Sequence, residues 1–172
     1  LILTSIATGR EQHDVLRFAR ELGLTTPQIS DNGAMISDPL NGRCIWSSPL
    51  PIPTAFQILT AINEREAAFI ATDNTTTVSN LQNTAGRNFN RISALDLNEL
   101  DANKLVYDCK SMSDVELVKV FLPYNGKWAV DFTAVGINKA VAAKKLASLI
   151  GIKSDQIISA GDSYNDLPLL NI

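Results

Sequence analysis

Cysteine is scarce in this chain: among 172 residues there are two, Cys44 and Cys109, far apart and without C-x-x-C spacing. That argues against a disulfide scaffold and against a zinc site, and leaves two free thiols of the kind a reducing cytoplasm permits. No run approaches the roughly 18 uninterrupted apolar residues of a membrane helix. The opening LILTSIA is too short for a secretory signal and lacks its basic flank. Positive charge is not in excess either, with a formal net charge of −3 and a pI near 5.1. Nothing therefore points to electrostatic nucleic-acid binding, although a mildly acidic protein can hold an anion in a locally positive pocket. Histidine occurs once, as His13 beside Asp14 in a helical pattern, and reads as a surface residue. A soluble, cytoplasmic protein with no nucleic-acid or membrane partner is expected.

What is present is ordinary globular composition, 45% hydrophobic with a mean hydropathy of +0.05. That suffices for one good-sized domain or two small ones. LILTSIA reads as a strand buried on both faces, followed by a helix over 10–24 in which Val15, Leu16, Ala19 and Leu22 share a face and Gly23 marks the end. PQIS predicts a second strand ending at Asp31-Asn32-Gly33, and AMIS and RCIWS around DPLNG predict a hairpin.

From about Ser48 the texture changes, with Pro51 and Pro53 before the helical pattern TAFQILTAINER. Strands are expected at 67–72, 104–109 and 127–132, and a helix over SDVELVKVFL, with turns in the Asn- and Thr-rich stretch 72–90. After Phe132 a helix, INKAVAAKKLASLIGI, leads to QIISA (156–160), which reads as a second buried strand. Strand, helix and strand with short links predict an α/β fold. Core residues 1–49 and 133–172 would form a parallel sheet of the Rossmann-like kind, and 50–132 an inserted α+β domain.

Ligands of open parallel sheets sit beyond the carboxyl ends of the strands. Two segments put polar groups there. In IATGR, Thr8 ends a strand, Gly9 lets backbone come close to a ligand, and the helix near Arg10 offers N–H groups to an anion; the alternative is that Thr8 simply caps that helix. In GDSYND, Asp162 and Asp166 are hard oxygen ligands suited to Mg²⁺, and Asn165 adds an amide for a phosphate oxygen or a carboxylate. The alternative here is a polar loop in which Asp162 or Ser163 caps the next helix. Lys139, 23 residues before Asp162, can neutralise a phosphate as a compact point charge.

Taken together, IATGR, SDNGA, the spacing from VGINKA to GDSYND and the inserted middle domain resemble the haloacid dehalogenase (HAD) superfamily, in particular its Cof-type sugar-phosphate phosphatases with a C2 cap. The resemblance implies a Mg²⁺-dependent phosphatase of small phosphorylated substrates. It puts Thr8 and the Gly9 amide on the phosphate and Arg10 near the substrate. Lys139 would hold phosphate and nucleophile together, Asp162 and Asp166 would serve the metal, and Asn165 the phosphate side. Physically this suits phosphoryl transfer, where catalysis is mostly positioning and charge neutralisation.

The pattern also departs from the family. Its D-x-D motif, which supplies the aspartyl nucleophile and the general acid/base, occurs nowhere in these 172 residues. Leu1 starts a strand-like run without a lead-in and Ile172 follows soon after GDSYND, so both ends read as cut. Ala140 stands where the family has Gly after the motif lysine, and the inserted domain of about 80 residues is compact. Two rivals follow: a truncated relative that binds phosphate or a phosphosugar without hydrolysing it, and a phosphomutase.

Overall fold

The computed structural model describes residues 2–172, Tyr164 by its backbone alone. In chain order the elements are α1 (Gln12–Glu21), β1 (Gln28–Ser30), β2 (Met35–Ser37), β3 (Cys44–Ser47), α2 (Ile52–Asn63), β4 (Ala68–Thr72), β5 (Thr77–Val78), β6 (Arg91–Leu97), α3 (Glu99–Cys109), β7 (Val115–Leu122), β8 (Lys127–Ala134), α4 (Lys139–Leu149) and α5 (Leu167–Leu170). Short 3-10 turns cover Asp31–Gly33 and Tyr164–Asp166. The fold is α/β, and it divides into two compact units: Leu1–Ser48 with Gly136–Ile172, and Pro49–Val135. Among the described residues no helix is long and apolar enough to cross a membrane.

In the first unit, α1 buries Val15, Leu16 and Ala19 on one face. It ends where Gly23 turns left-handed at φ +67°, letting Leu24 N–H return to the Ala19 carbonyl at 2.8 Å. Strands β1, β2 and β3 form an antiparallel sheet with Ile29 opposite Ile36. Against it α4 packs Ala142 and Leu146. Asn138 starts α4 by accepting the N–H groups of Ala140 and Val141 at 3.0 and 3.1 Å, the donors a helix leaves unpaired at its first turn.

Two expected strands of this unit are not strands here. Residues 2–6 and 157–160 run outside any regular element; parallel pairing among the described residues is one bridge, Ala7 to Ile29. Instead of being buried on both faces, Ile2 is 90% and Ile158 98% exposed. An apolar groove of about 210 Å³ is lined by Leu3 and Ala7, by Ile157 and Ala160, and by Leu146 of α4 with Ile150 just past its end. A strand exists only through a neighbour's backbone groups. The apolar composition of these segments therefore indicated burial, while the pairing that would make them strands is not provided by the described residues.

The second unit is a five-stranded antiparallel sheet in the order β5-β4-β6-β8-β7. One face packs α2 and α3 through Ile58, Ile62, Leu105, Ile92, Val130 and Phe132. On the alternate positions of β6 and β8 lie Arg91, Ser93, Asp131 and Thr133, all buried, with Arg91 Nη1 3.3 Å from Asp131 Oδ1.

Two sequence expectations change type here. Residues 104–109 belong to α3 rather than a strand: Ala102, Leu105 and Cys109 are buried at helical spacing, and Asn98 caps the start by accepting Asp101 N–H at 2.9 Å. The segment expected as a helix is β7, which pairs along its whole length with β8. Its Val115, Val118 and Val120 are β-branched and suit the pleated surface. Over β6 the sequence predicts no element.

Both cysteines are free, and burial raises the pKa of each thiol, which keeps them protonated.

Candidate functional site

The site is assembled from three loops of the first unit: the turn after Ala7, the 31–33 turn between β1 and β2, and the 161–166 loop. To these is added the first residue of α4. Lys139 occupies that first position and is 5% exposed. Its Nζ lies 2.5 Å from Asp166 Oδ1, which is also buried. The other oxygen of Asp166 accepts the N–H groups of Asp162 and Ser163 at 3.2 and 3.1 Å. Burial pushes the Asp166 carboxyl up. The hydrogen bond and charge of Lys139, with the N–H groups of Ser163 and Asp162, outweigh that and hold it below its ordinary value of 3.8. An ammonium has three donors, and this contact uses one.

Gly161 makes the loop possible. A Cβ there would stand 2.4 Å from Asp166 Cβ. With Gly161 the chain can fold the Asp166 carboxylate back over the N–H groups of 162 and 163, so this carboxylate organises its own loop instead of capping α5, at whose N-cap it makes no side-chain bond.

Asp162 is exposed. Because Asp166 is committed to Lys139 and the loop, the carboxylate open to a cation is that of Asp162. Among the described residues no three His, Cys, Asp or Glu side chains are grouped closely enough to hold a metal ion. The donor set fits a cation that takes one protein carboxylate and completes its shell with water and ligand oxygens, the habit of Mg²⁺, and it does not fit a closed protein cage.

On the opposite side, Thr8 N–H donates to the Ile29 carbonyl at 3.2 Å. Its hydroxyl oxygen accepts the Arg10 N–H at 3.2 Å, leaving the hydroxyl hydrogen to donate elsewhere. Thr8 is not the cap of α1; that position is Glu11. The Gly9 N–H has no hydrogen-bond partner among the described residues. The guanidinium of Arg10 is not brought to the cluster: it is exposed, pairs with Asp14 Oδ2 at 3.3 Å along α1, and lies 6.0 Å from the Phe18 ring.

The 31–33 turn touches the residues singled out in the sequence; SDNGA carries part of the family resemblance there, but the sequence assigns its residues no role in the site. Asp31 N–H donates to the Arg10 carbonyl at 2.9 Å, and Asn32 N–H to the Thr8 carbonyl at 3.0 Å. Gly33, at φ +99°, lies so close to α4 that a Cβ would stand 2.3 Å from the Asn138 oxygen and 2.9 Å from Lys139 N. Asn32 Oδ1 accepts from Asn165 Nδ2 at 3.4 Å, while Asn165 Oδ1 is buried with no partner among the described residues. The available signal was Asn before Gly, two residues that tolerate left-handed backbone.

Three comparisons bear on this arrangement. A family model described as haloacid dehalogenase-like hydrolase matches residues 2–172. A curated relative, 5-amino-6-(5-phospho-D-ribitylamino)uracil phosphatase YitU of Bacillus subtilis (strain 168), is 24% identical over 189 residues, covering 96% of this chain and 69% of its own length. Among solved structures, a haloacid dehalogenase-like hydrolase from B. subtilis superposes with a TM-score of 0.80 at 18% identity, over 99% of this chain and 74% of that one. The HAD subclass IIB sugar phosphatase BT4131 does so with a TM-score of 0.76 at 18% identity, over 98% and 70%.

Proposed function

The chain belongs to the haloacid dehalogenase-like hydrolase family, and from that premise we propose that it carries the phosphate-binding half of a Mg²⁺-dependent phosphatase acting on a small phosphorylated metabolite of the sugar-phosphate kind. One observation carries the proposal: a buried lysine at the start of α4, paired with Asp166 and retaining two further donors, in the same unit as the Thr8–Gly9 turn and the exposed Asp162. The names of the relatives favour the substrate class, since a sugar phosphatase and a phosphoribitylamino-uracil phosphatase both take a phosphate ester on a polyhydroxylated carbon chain.

In this reading the Thr8 hydroxyl and the Gly9 N–H donate to phosphoryl oxygens, and Lys139 neutralises them from the other side. Asn165 lies on the phosphate side, and Arg10 reaches the substrate only by leaving Asp14. Asp166 keeps the Lys139 ammonium directed, and Asp162 presents its carboxylate to magnesium. Magnesium, when bound, would offset charge on the phosphoryl group in transfer. The nucleophilic carboxylate of an aspartyl-phosphate route is not supplied by these residues, which contain no D-x-D pair. The inserted unit 49–135 would act as the cap. Two further readings, phosphate binding without hydrolysis and a phosphomutase, fall to the same experiment.

The full-length gene product is assayed against an aryl phosphate and a panel of sugar phosphates, with Mg²⁺ and with chelator, beside Asp162→Ala. Hydrolysis that needs Mg²⁺ and drops by about 10²-fold or more in the variant is expected, on the scale of removing one electrostatic stabiliser. Phosphate binding without turnover would favour the binding relative, phosphoryl movement between hydroxyls the mutase, and hydrolysis indifferent to Asp162→Ala would remove the site assignment.

A further inference from the structure

We propose that Asn32 is a positioning residue of this site, acting through the carboxamide of Asn165; the inference rests on the phosphatase reading and adds to it a residue that reading does not use. The side chain of Asn32 is where the two phosphate-side loops meet. Its Oδ1 takes the Asn165 Nδ2 hydrogen at 3.4 Å, and the same oxygen stands 2.7 Å from the point a Cβ on Gly9 would occupy. Its backbone N–H is fastened to the Thr8 carbonyl at 3.0 Å. One residue thus contacts Thr8, Gly9 and Asn165.

The backbone at Asn32 is unusual in a way that selects the residue. It is 6% exposed, with φ 55° and ψ 25°, and it follows Asp31 at φ 53°. Two consecutive buried non-glycine residues in the left-handed region are costly, and observed strain of this kind concentrates at functional sites. Among common residues Gly, Asn and Asp enter that region most readily. Glycine would meet the backbone demand without a side chain, and aspartate would meet it with a negative charge facing a phosphate. Asparagine alone of the three meets it with a neutral oxygen that can hold the Asn165 amide.

The second observation is at Asn165. An amide has one accepting and one donating end; here the donating end is turned to Asn32, and the accepting end, Oδ1, is buried without a partner among the described residues. A buried carbonyl oxygen left unpaired is disfavoured, and native structures retain such atoms chiefly where something else completes them. The Asn32 contact therefore sets which end of Asn165 faces the ligand. By lying against Gly9 the same oxygen also sets how near that loop comes.

The test uses the full-length gene product with Asn32→Gly, Asn32→Asp, Asn165→Ala and the double variant Asn32→Gly/Asn165→Ala. Asn32→Gly is the informative change because it relieves the left-handed backbone and keeps the fold. Its melting temperature is expected to stay at or above that of the parent while kcat/KM for phosphate ester hydrolysis falls about 10-fold or more, mostly in kcat. Asn32→Asp folds on the same grounds and is expected to raise KM as well, through repulsion of the phosphate. In the double variant, removal of the Asn32 side chain adds less than about 2-fold to the loss from Asn165→Ala, because coupled residues are not additive. The side-chain amide resonances of Asn165, assigned as those lost in Asn165→Ala, shift in Asn32→Gly whether or not the protein turns over substrate. Unshifted resonances overturn the proposal. So do losses that multiply in the double variant, or an unchanged kcat/KM in Asn32→Gly. A parent protein with no activity would refute the phosphatase reading instead, and the amide resonances would still decide the Asn32 contact.

Discussion

Replacing Lys139 by Met tests whether the buried ion pair is what holds the 161–166 loop against α4. Met keeps most of the length and apolar surface of the lysine stem and removes the ammonium. Both side chains are nearly out of solvent, 6% exposed for Lys139 and 8% for Asp166, and their charged atoms are 2.5 Å apart. Removing one partner of such a pair costs about 3–5 kcal/mol, because the other charge stays buried and unpaired. Asp166 keeps two N–H donors, from residues 162 and 163; these continue to stabilise a carboxylate, each by about 1.5–3 kcal/mol. The expected loss is therefore at the lower end, about 3 kcal/mol. For a chain of this length that corresponds to a drop in Tm of roughly 6–12 °C.

Thermal and urea denaturation in phosphate-free buffer with chelator measure it, with the double variant Lys139→Met/Asp166→Leu as the control. If the cost of the single change is the stranded charge, removing that charge as well restores most of the stability, leaving the double variant within about 2 kcal/mol of the parent. A single-variant loss under about 1 kcal/mol, or a double variant whose losses add within about 0.5 kcal/mol, would refute the reasoning: the pair would then be a consequence of the loop's geometry and not its support.

The remaining predictions concern the frame around the site and the acid stability of the second unit. Gly33→Ala puts a Cβ 2.3 Å from the Asn138 oxygen at a φ of +99°, so backbone must move; a loss of about 3 kcal/mol or more by urea denaturation is expected, together with weaker binding of inorganic phosphate, whereas Gly126→Ala, with nothing within 4 Å and only its φ of +68° to strain it, costs about 1–2 kcal/mol. Burial raises the Asp73 carboxyl, but the N–H and hydroxyl of Thr75, the Arg87 guanidinium and the Thr76 N–H together hold it below 3.8. Its contribution is thus present above the unfolded value of 3.8 and is lost as pH falls through the lower folded value. Asp73→Asn should flatten the acid limb of stability below about pH 4 and lower stability at neutral pH; an unchanged acid limb would mean the carboxylate is not stabilised by that loop.

How far the sequence could be read depended on whether the information was local. Helices α1, α2 and α4 carry their own period and stop signals, and the β2–β3 hairpin its own turn, so these were legible. Helix α3 could have been read correctly: Asn98 followed by Glu99 and Asp101 is a cap with acids in the first turn, and Ala102, Leu105 and Cys109 keep helical spacing. The adjacent apolar pair Leu105 and Val106 is also compatible with a short buried strand. In β7 the mixture of Val, Leu, Lys and Glu fits either period, and the decision came from its eight-residue ladder with β8, which no window of sequence contains. For 2–6 and 157–160 the sequence indicates apolar burial and both border the groove; among the described residues the pairing of the first segment with β1 stops at the Ala7–Ile29 bridge, too short to make a strand, and the second joins no ladder.

The same distinction explains the site. Lys139, Asp162, Asn165 and Asp166 stand out by type and spacing, being groups that the proposed phosphate and magnesium chemistry would call for. What gathers them is a turn whose sequence, Asp-Asn-Gly, is shared by countless surface loops. Its distinguishing features are three-dimensional: two left-handed residues that are buried, and a glycine pressed against the first turn of α4. A turn chosen only to reverse the chain would be expected at the surface, where left-handed backbone is cheap for Asn and Gly and polar groups stay hydrated. This one gives up that hydration and is fastened by hydrogen bonds to the carbonyls of Thr8 and Arg10, so its conformation and that of the turn after Ala7 are set together. Strain held in a buried turn by the very residues it aligns is the physical reason to look for function there, and it becomes visible only once the chain is folded.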